Sequence, residues 1–244
     1  MGNTAVARLE DTMIRIRRAD ERGFADHGWL QTWHTFSFAN YYDPRFMGFR
    51  SLRVINDDRV AAGMGFPTHP HRDMEIVSYV VDGALEHRDS MGNGSVIRPG
   101  EIQKMSAGTG VTHSEFTPSP SDPMRFLQIW IEPSQAGLRP AYEQVSVPGS
   151  ERRGYLKRVA DPTGSDGGVT LHQDAAIYAS LLEPGDAVTH ELAPGRGAWI
   201  QLVGGRVAIG DVEAEEGDGV AVEEESTIEI QGREDAELLL FDLN

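Results

Sequence analysis

Short runs of alternating apolar and polar residues recur along the chain, separated by turns that carry glycine and proline. Met13–Ala19 (MIRIRRA) opens the series. A period of two places its apolar and basic side chains on opposite faces of an extended strand. Trp33–Phe38 alternates in the same way, and Leu52–Asn56 is a further candidate strand, closed by a turn at Asp57-Asp58. Ile76–Val81 is rich in β-branched residues and ends at Asp82-Gly83, a dipeptide that favours a tight hairpin. Ala84–Asp89 leads to a turn at 90–94, and Val96–Arg98 leads to another at Pro99-Gly100. Phe126–Glu132 (FLQIWIE) alternates clearly. No long amphipathic helix stands out in the first 135 residues. Short strands at regular spacing predict an all-β sandwich or barrel.

The second half restarts the same grammar. Tyr178–Leu182 is followed by a turn at 183–186, and Trp199–Val203 by Gly204-Gly205. Tyr79–Leu85 (YVVDGAL) lines up with Gln201–Val207 (QLVGGRV), and Pro99-Gly100-Glu101 with Glu216-Gly217-Asp218. Two similar antiparallel β-barrels in one chain account for this weak repeat. The 244 residues are enough for that arrangement. The expected division is a flexible extension over 1–12, a first barrel over 13–135, a linker over 136–150 and a second barrel over 151–244.

Composition narrows the chemistry. The chain has no cysteine, which excludes a disulfide scaffold, a zinc–thiolate site and a cysteine nucleophile, and fits a reducing cytoplasm. Residues 1–12 lack the apolar segment of a secretory signal, and no run approaches the roughly 18 apolar residues of a membrane span. A soluble, cytoplasmic protein is expected. The net charge of −16 is uneven: from Ala141 onward there are 21 Asp+Glu against 7 Lys+Arg. An acidic half repels phosphate backbones, so no direct nucleic-acid binding is expected.

One stretch carries the reactive residue types. His69 and His71 form one pair at i, i+2, and His113 and Glu115 form another. On two neighbouring strands each pair shares a face, so the four side chains converge on one pocket. Three imidazoles and a carboxylate suit a divalent transition metal that keeps open coordination positions, as a catalytic site does. Iron(II) leads, and manganese, nickel, cobalt or copper also fit. Glu75 shares face parity with His69 and His71, so spacing leaves the carboxylate open between Glu75 and Glu115. His27, His34, His87, His172 and His190 have no companion at ligand spacing and read as structural or surface residues, with His34 a core or pocket-wall candidate.

The pattern resembles the cupin superfamily. Gly63, His69, His71, Glu75 and, one residue late, Gly83 match its first motif, and Gly110 and His113 part of its second. Gly108 and Thr117 stand where that second motif usually has proline and asparagine. The runs TWHTFSFANYYDPRFMGF (32–49), LRVINDD (52–58), HPHRDMEIVSYV (69–80) and HRDSMGNGSVIRPGEIQKMSAGTGVTHSE (87–115) look like the pirin family, in particular its short bacterial members. That resemblance implies a bicupin, two stacked jelly-roll barrels with metal, normally iron, in the N-terminal barrel only. It places the ligands on His69, His71, His113 and Glu115, leaving Glu75 as a pocket residue or one that orients a ligand imidazole.

Aligning Gly83 with Gly204 sets His190 opposite His69 but Leu192 opposite His71, and shifting by one sets Glu191 and Ala193 there. No histidine follows His190, so no metal is expected in the second barrel.

The resemblance also implies quercetin 2,3-dioxygenase activity, the oxidative ring opening of a flavonol by dioxygen with release of carbon monoxide. Glu115 would be the general base, and Phe66 and Met74 would be pocket walls. Two other outcomes are carried alongside: a non-catalytic iron-dependent regulator that binds a protein partner, and a cupin oxygenase or isomerase with a non-flavonoid substrate.

Overall fold

The computed structural model describes residues 14–244. The expected extension over 1–12 and the start at Met13 lie outside the described residues. Among the described residues, the strands form two seven-stranded and two four-stranded sheets. The N-terminal seven-stranded sheet runs, edge to edge, Ala141–Ser146, Glu101–Ser106, Glu75–Asp82, Met124–Ile131, Leu52–Val60, Leu30–His34 and Gly23–Asp26. It packs on a four-stranded sheet of Gly65–His71, Val111–Phe116, Leu85–Asp89 and Gly94–Ile97.

The C-terminal half repeats this plan. Its large sheet runs Ile14–Arg17, Gly219–Glu223, Gly197–Gly204, Ala236–Leu243, Ala175–Leu182, Lys157–Asp161 and Val169–Thr170. Its small sheet is Ala187–Glu191, Thr227–Gly232, Arg206–Ile209 and Val212–Glu215. The small sheets and the central strands of the large sheets correspond in order, so the weak sequence repeat is a repeat of core topology; the outer strands differ, Gly23–Asp26 pairing antiparallel with Leu30–His34 but Val169–Thr170 parallel with Lys157–Asp161.

The first described strand and the expected linker trade places. Ile14–Arg17 pairs with Gly219–Glu223 at the edge of the C-terminal sheet. The matching edge of the N-terminal sheet is Ala141–Ser146, inside the segment 136–150 expected as a linker, and it pairs with Glu101–Ser106. Alternation placed the strand at 14–17 but carried no information about which sheet it joins. The turn expected at Asp57-Asp58 is also absent. Both residues lie within the Leu52–Val60 strand and are buried on opposite faces. Asp57 is held there by two 2.9 Å bonds from the Arg125 guanidinium.

The two large sheets pack back to back. Leu52, Ile55, Val77, Tyr79, Leu127 and Ile129 meet Ile177, Ala179, Trp199, Leu239 and Phe241 in one apolar cluster. Polar ties border this seam. Arg152 and Glu237 bond each other and the Tyr79 hydroxyl, and the Thr170 amide donates to Glu143 at 2.9 Å. The seam buries the second face of the N-terminal large sheet, whose first face looks into its own barrel.

Arg17 joins the halves at their other end. Its strand belongs to the C-terminal sheet, yet its buried guanidinium donates to the carbonyls of Thr35 and Glu21 and to the Tyr41 hydroxyl, and lies 3.5 Å over the Phe46 ring. Arg17→Ala is expected to lower the unfolding free energy by about 2–4 kcal/mol, because charged hydrogen bonds are lost from a buried site. Urea denaturation reads this directly, and an unchanged midpoint contradicts the tie.

Candidate metal centre

His69 and His71 project from the Gly65–His71 strand, and His113 from Val111–Phe116, with His113 directly opposite His69 in the antiparallel register. One nitrogen from each ring lies within 4.8 Å of the other two, and ring centroids are 4.4–4.8 Å apart. His71 Nε2 and His113 Nε2 are buried and have no hydrogen-bond partner among the described residues. Buried polar atoms are rarely left so. His69 Nδ1 lies 2.7 Å from the Pro67 carbonyl and donates to it, which leaves the Nε2 lone pair free. Burial, with the neighbouring rings, lowers the pKa of His71 to about 4 and of His113 to about 2. Three neutral imidazoles with unspent lone pairs at one point fit a divalent transition metal.

Glu115 is fully buried on the same strand face as His113, two residues along. It accepts from Gln128 Nε2 at 3.0 Å and from Ser78 Oγ at 3.3 Å. Burial, reinforced by the Asp58 charge, raises its pKa to about 8. Burial likewise raises Asp58 to about 7. A cation at the histidines reverses this balance and favours the Glu115 carboxylate.

Glu75 stands elsewhere, and the expectation that it lines the pocket is corrected. The strand bearing His69 and His71 ends at His71. Asp73 then takes a left-handed conformation (φ 48°), and Glu75 opens a strand of the other sheet, so face parity does not carry across. Its carboxylate faces the seam, accepts from the His172 amide at 3.2 Å and lies 3.8 Å from the buried Lys104 ammonium. Lys104 also pairs with Glu143 at 3.0 Å. Met74 is likewise away from the pocket, packed on Ile76, Met105, Ala107 and Val111.

Phe66 does line the pocket. A bulge between the pairs His113/His69 and Glu115/Phe66 returns Phe66 to the face of His69 despite the odd spacing. The cavity there measures about 420 Å³, within the range of small-molecule sites. Leu30, Phe38, Phe66, Pro67 and Trp130 supply apolar walls, and His34, Asn56, Asp58 and Gln128 polar ones, beside His69 and His71.

Behind His113 stands His87, buried and not a ligand. Its Nδ1 makes a long 3.5 Å contact with His113 Nδ1, and its Nε2 donates to Asp89 at 3.1 Å. Burial alone would raise the Asp89 pKa, but bonds from Asn93, His87 and the Met91 amide hold it below the usual range. Burial outweighs Asp89 at His87 and lowers its pKa. A carboxylate, an acceptor imidazole and a ligand imidazole thus stand in line, the arrangement that fixes a ligand tautomer. The sequence signal for His87 is its i, i+2 spacing to Asp89.

In the second half His190 pairs with Ile228, where the first half sets His69 opposite His113. Its Nε2 is taken by Asp242 at 2.9 Å.

The Pirin family model matches residues 15–131, and the model for the quercetinase C-terminal cupin domain matches residues 158–243. A quercetin 2,3-dioxygenase of Escherichia coli (strain K12) is 50% identical over 231 residues, covering 95% of this chain and 99% of the relative. A pirin-like protein of Caulobacter vibrioides is 40% identical over 231 residues, covering 94% and 99%. The crystal structure of the Escherichia coli bacterial pirin YhhW in complex with nickel(II) is 50% identical, with a TM-score of 0.90 over 94% of this chain and 98% of that one. The chain belongs to the pirin family, and its fold is a bicupin.

Metal analysis after dialysis separates the roles assigned above. His71→Ala and His113→Ala are expected to lose the metal. His87→Ala is expected to weaken metal affinity about 10–100-fold. Glu75→Gln is expected to retain full metal content, and metal loss in that variant would return Glu75 to the ligand set.

Proposed function

We propose that this pirin is a metal-dependent dioxygenase that opens the central ring of a flavonol such as quercetin and releases carbon monoxide. The observation that carries this reading is a three-imidazole cluster with unpartnered buried nitrogens, two of whose rings, His69 and His71, line a cavity with aromatic walls. The names of the relatives support the substrate class, and the nickel(II) complex of YhhW supports a single divalent metal. Iron(II) is the proposed native metal, held by His69, His71, His113 and Glu115.

When bound, such a metal supplies Lewis-acid polarisation of the flavonol oxygens and a redox path to dioxygen. The protein supplies the rest. Glu115 accepts the proton of the substrate 3-hydroxyl as general base. Gln128 and Ser78 hold its two oxygens and so fix where the proton is received. Phe66 and Trp130 flank the cavity and favour a flat ring system while excluding water. One dioxygen is consumed and one carbon monoxide leaves, with both oxygen atoms of dioxygen retained in the ring-opened ester.

Iron-reconstituted protein in air is expected to bleach quercetin and release carbon monoxide in equal amounts. Glu115→Gln is expected to lower kcat about 100-fold or more, as loss of a general base does. Metal-loaded wild type that consumes no flavonol would refute the activity, and a non-flavonoid substrate or a purely regulatory role would then be favoured.

A further inference from the structure

A row of polar side chains crosses the cavity-facing side of the N-terminal large sheet. His34, Asn56, Gln128, Ser78 and Gln103 stand opposite one another on five adjacent strands. Three of them serve the metal centre. Gln128 and Ser78 hold Glu115, and Gln103 approaches His87 Nδ1 at 3.5 Å. Asn56 and His34 extend the row beyond the metal, along the cavity wall.

His34 is 5% exposed. Its Nδ1 lies 2.8 Å from Asn56 Oδ1. A carbonyl oxygen only accepts, so the proton is on Nδ1 and the Nε2 lone pair is free. Nε2 has no protein partner among the described residues, and unlike His71 Nε2 and His113 Nε2 it is not sealed from the cavity. The ring is pinned by Phe38 and stacked on Tyr41, at centroid distances of 5.4 and 6.3 Å. Burial lowers its pKa, which keeps it a neutral acceptor. A fixed neutral acceptor between the apolar Phe38 and Leu30 side of the cavity and its polar residues Asn56 and Asp58 selects a ligand with a donor at that place.

We propose that His34 Nε2 accepts a hydrogen bond from a substrate hydroxyl remote from the metal-directed one, so that His34 and Asn56 set specificity for planar polyhydroxylated aromatics. The inference rests on the assignment of the cavity as the substrate site. It makes His34 a substrate-binding residue and Asn56 the positioning residue that fixes its tautomer.

The test is anaerobic titration of nickel(II)-loaded protein, following tryptophan fluorescence, with quercetin and with 3-hydroxyflavone, which keeps only the 3-hydroxyl. His34→Leu is expected to weaken quercetin binding about tenfold, the value of one buried hydrogen bond, and 3-hydroxyflavone binding by less than about twofold, with metal content unchanged. His34→Gln, which keeps an acceptor, is expected to recover most of the quercetin affinity. Equal losses for both ligands, or no loss for either, would overturn the assignment while leaving turnover by the wild type intact. If the wild type consumes no flavonol in air but the binding pattern holds, the activity falls and the hydroxyl anchor stands. If the wild type binds neither ligand, both fall. Should His34→Leu fail to fold, zinc-loaded wild type labelled with nitrogen-15 histidine decides. The His34 Nε2 resonance is expected to move on addition of quercetin and to stay in place with 3-hydroxyflavone, and any other pattern overturns the anchor.

Discussion

The back-to-back seam between the two large sheets is the constraint on which the rest of the molecule depends. It buries one face of the N-terminal sheet under Trp199, Leu239 and Phe241 of the other half. The opposite face packs toward the four-stranded sheet of its own half, so polar groups at the centre of this sheet are kept from bulk water. Each must find a protein partner or face a ligand. Asp57 and Lys104 point to the seam and find charges there. Ser78, Gln103 and Gln128 point to the cavity and find Glu115 and His87. On the facing four-stranded sheet, His71 Nε2 and His113 Nε2 are buried without a protein partner among the described residues, and their convergence fits a divalent metal.

The all-β class, the repeat and the histidine pairs were legible because each has a period of two, which the sequence displays openly. Where the strand continued, as from His113 to Glu115, parity held. Where it broke, parity misled. Asp73 turns the backbone between His71 and Glu75, and a left-handed aspartate leaves little mark in a sequence. The bulge that brings Phe66 round to His69 is equally silent. Asp57-Asp58 reads as a turn by residue type, but Arg125, nearly seventy positions away, makes a buried strand of it. His87 looked solitary for the same reason, since its partner His113 is adjacent only through strand pairing. The polar row across the sheet has a faint signature in two of its strands, where a single polar residue interrupts an apolar run, as in VSYV and FLQIW. Register turns five scattered polar positions into one feature, and register is not written locally.

The two halves share a core topology and differ in the side chains at the site. Ile228 stands where the first half has a ligand imidazole, and Asp242 occupies Nε2 of His190 opposite it. The second half contributes instead the wall against which the first half's large sheet is flattened, together with the Glu237 and Trp199 contacts that border or fill the seam.

The exchange of edge strands bears on how the chain is made. Ile14–Arg17 is synthesised before its partner Gly219–Glu223, with the whole N-terminal half between them. Until Gly219–Glu223 is in place, that apolar-basic strand has no edge of the C-terminal sheet to join. The completion of the second large sheet is therefore a long-range event, and pairings of this separation are intrinsically slow. Nor does cutting between the repeats yield two self-sufficient pieces: a fragment ending near residue 150 keeps a strand it cannot use, and the remainder lacks one it needs.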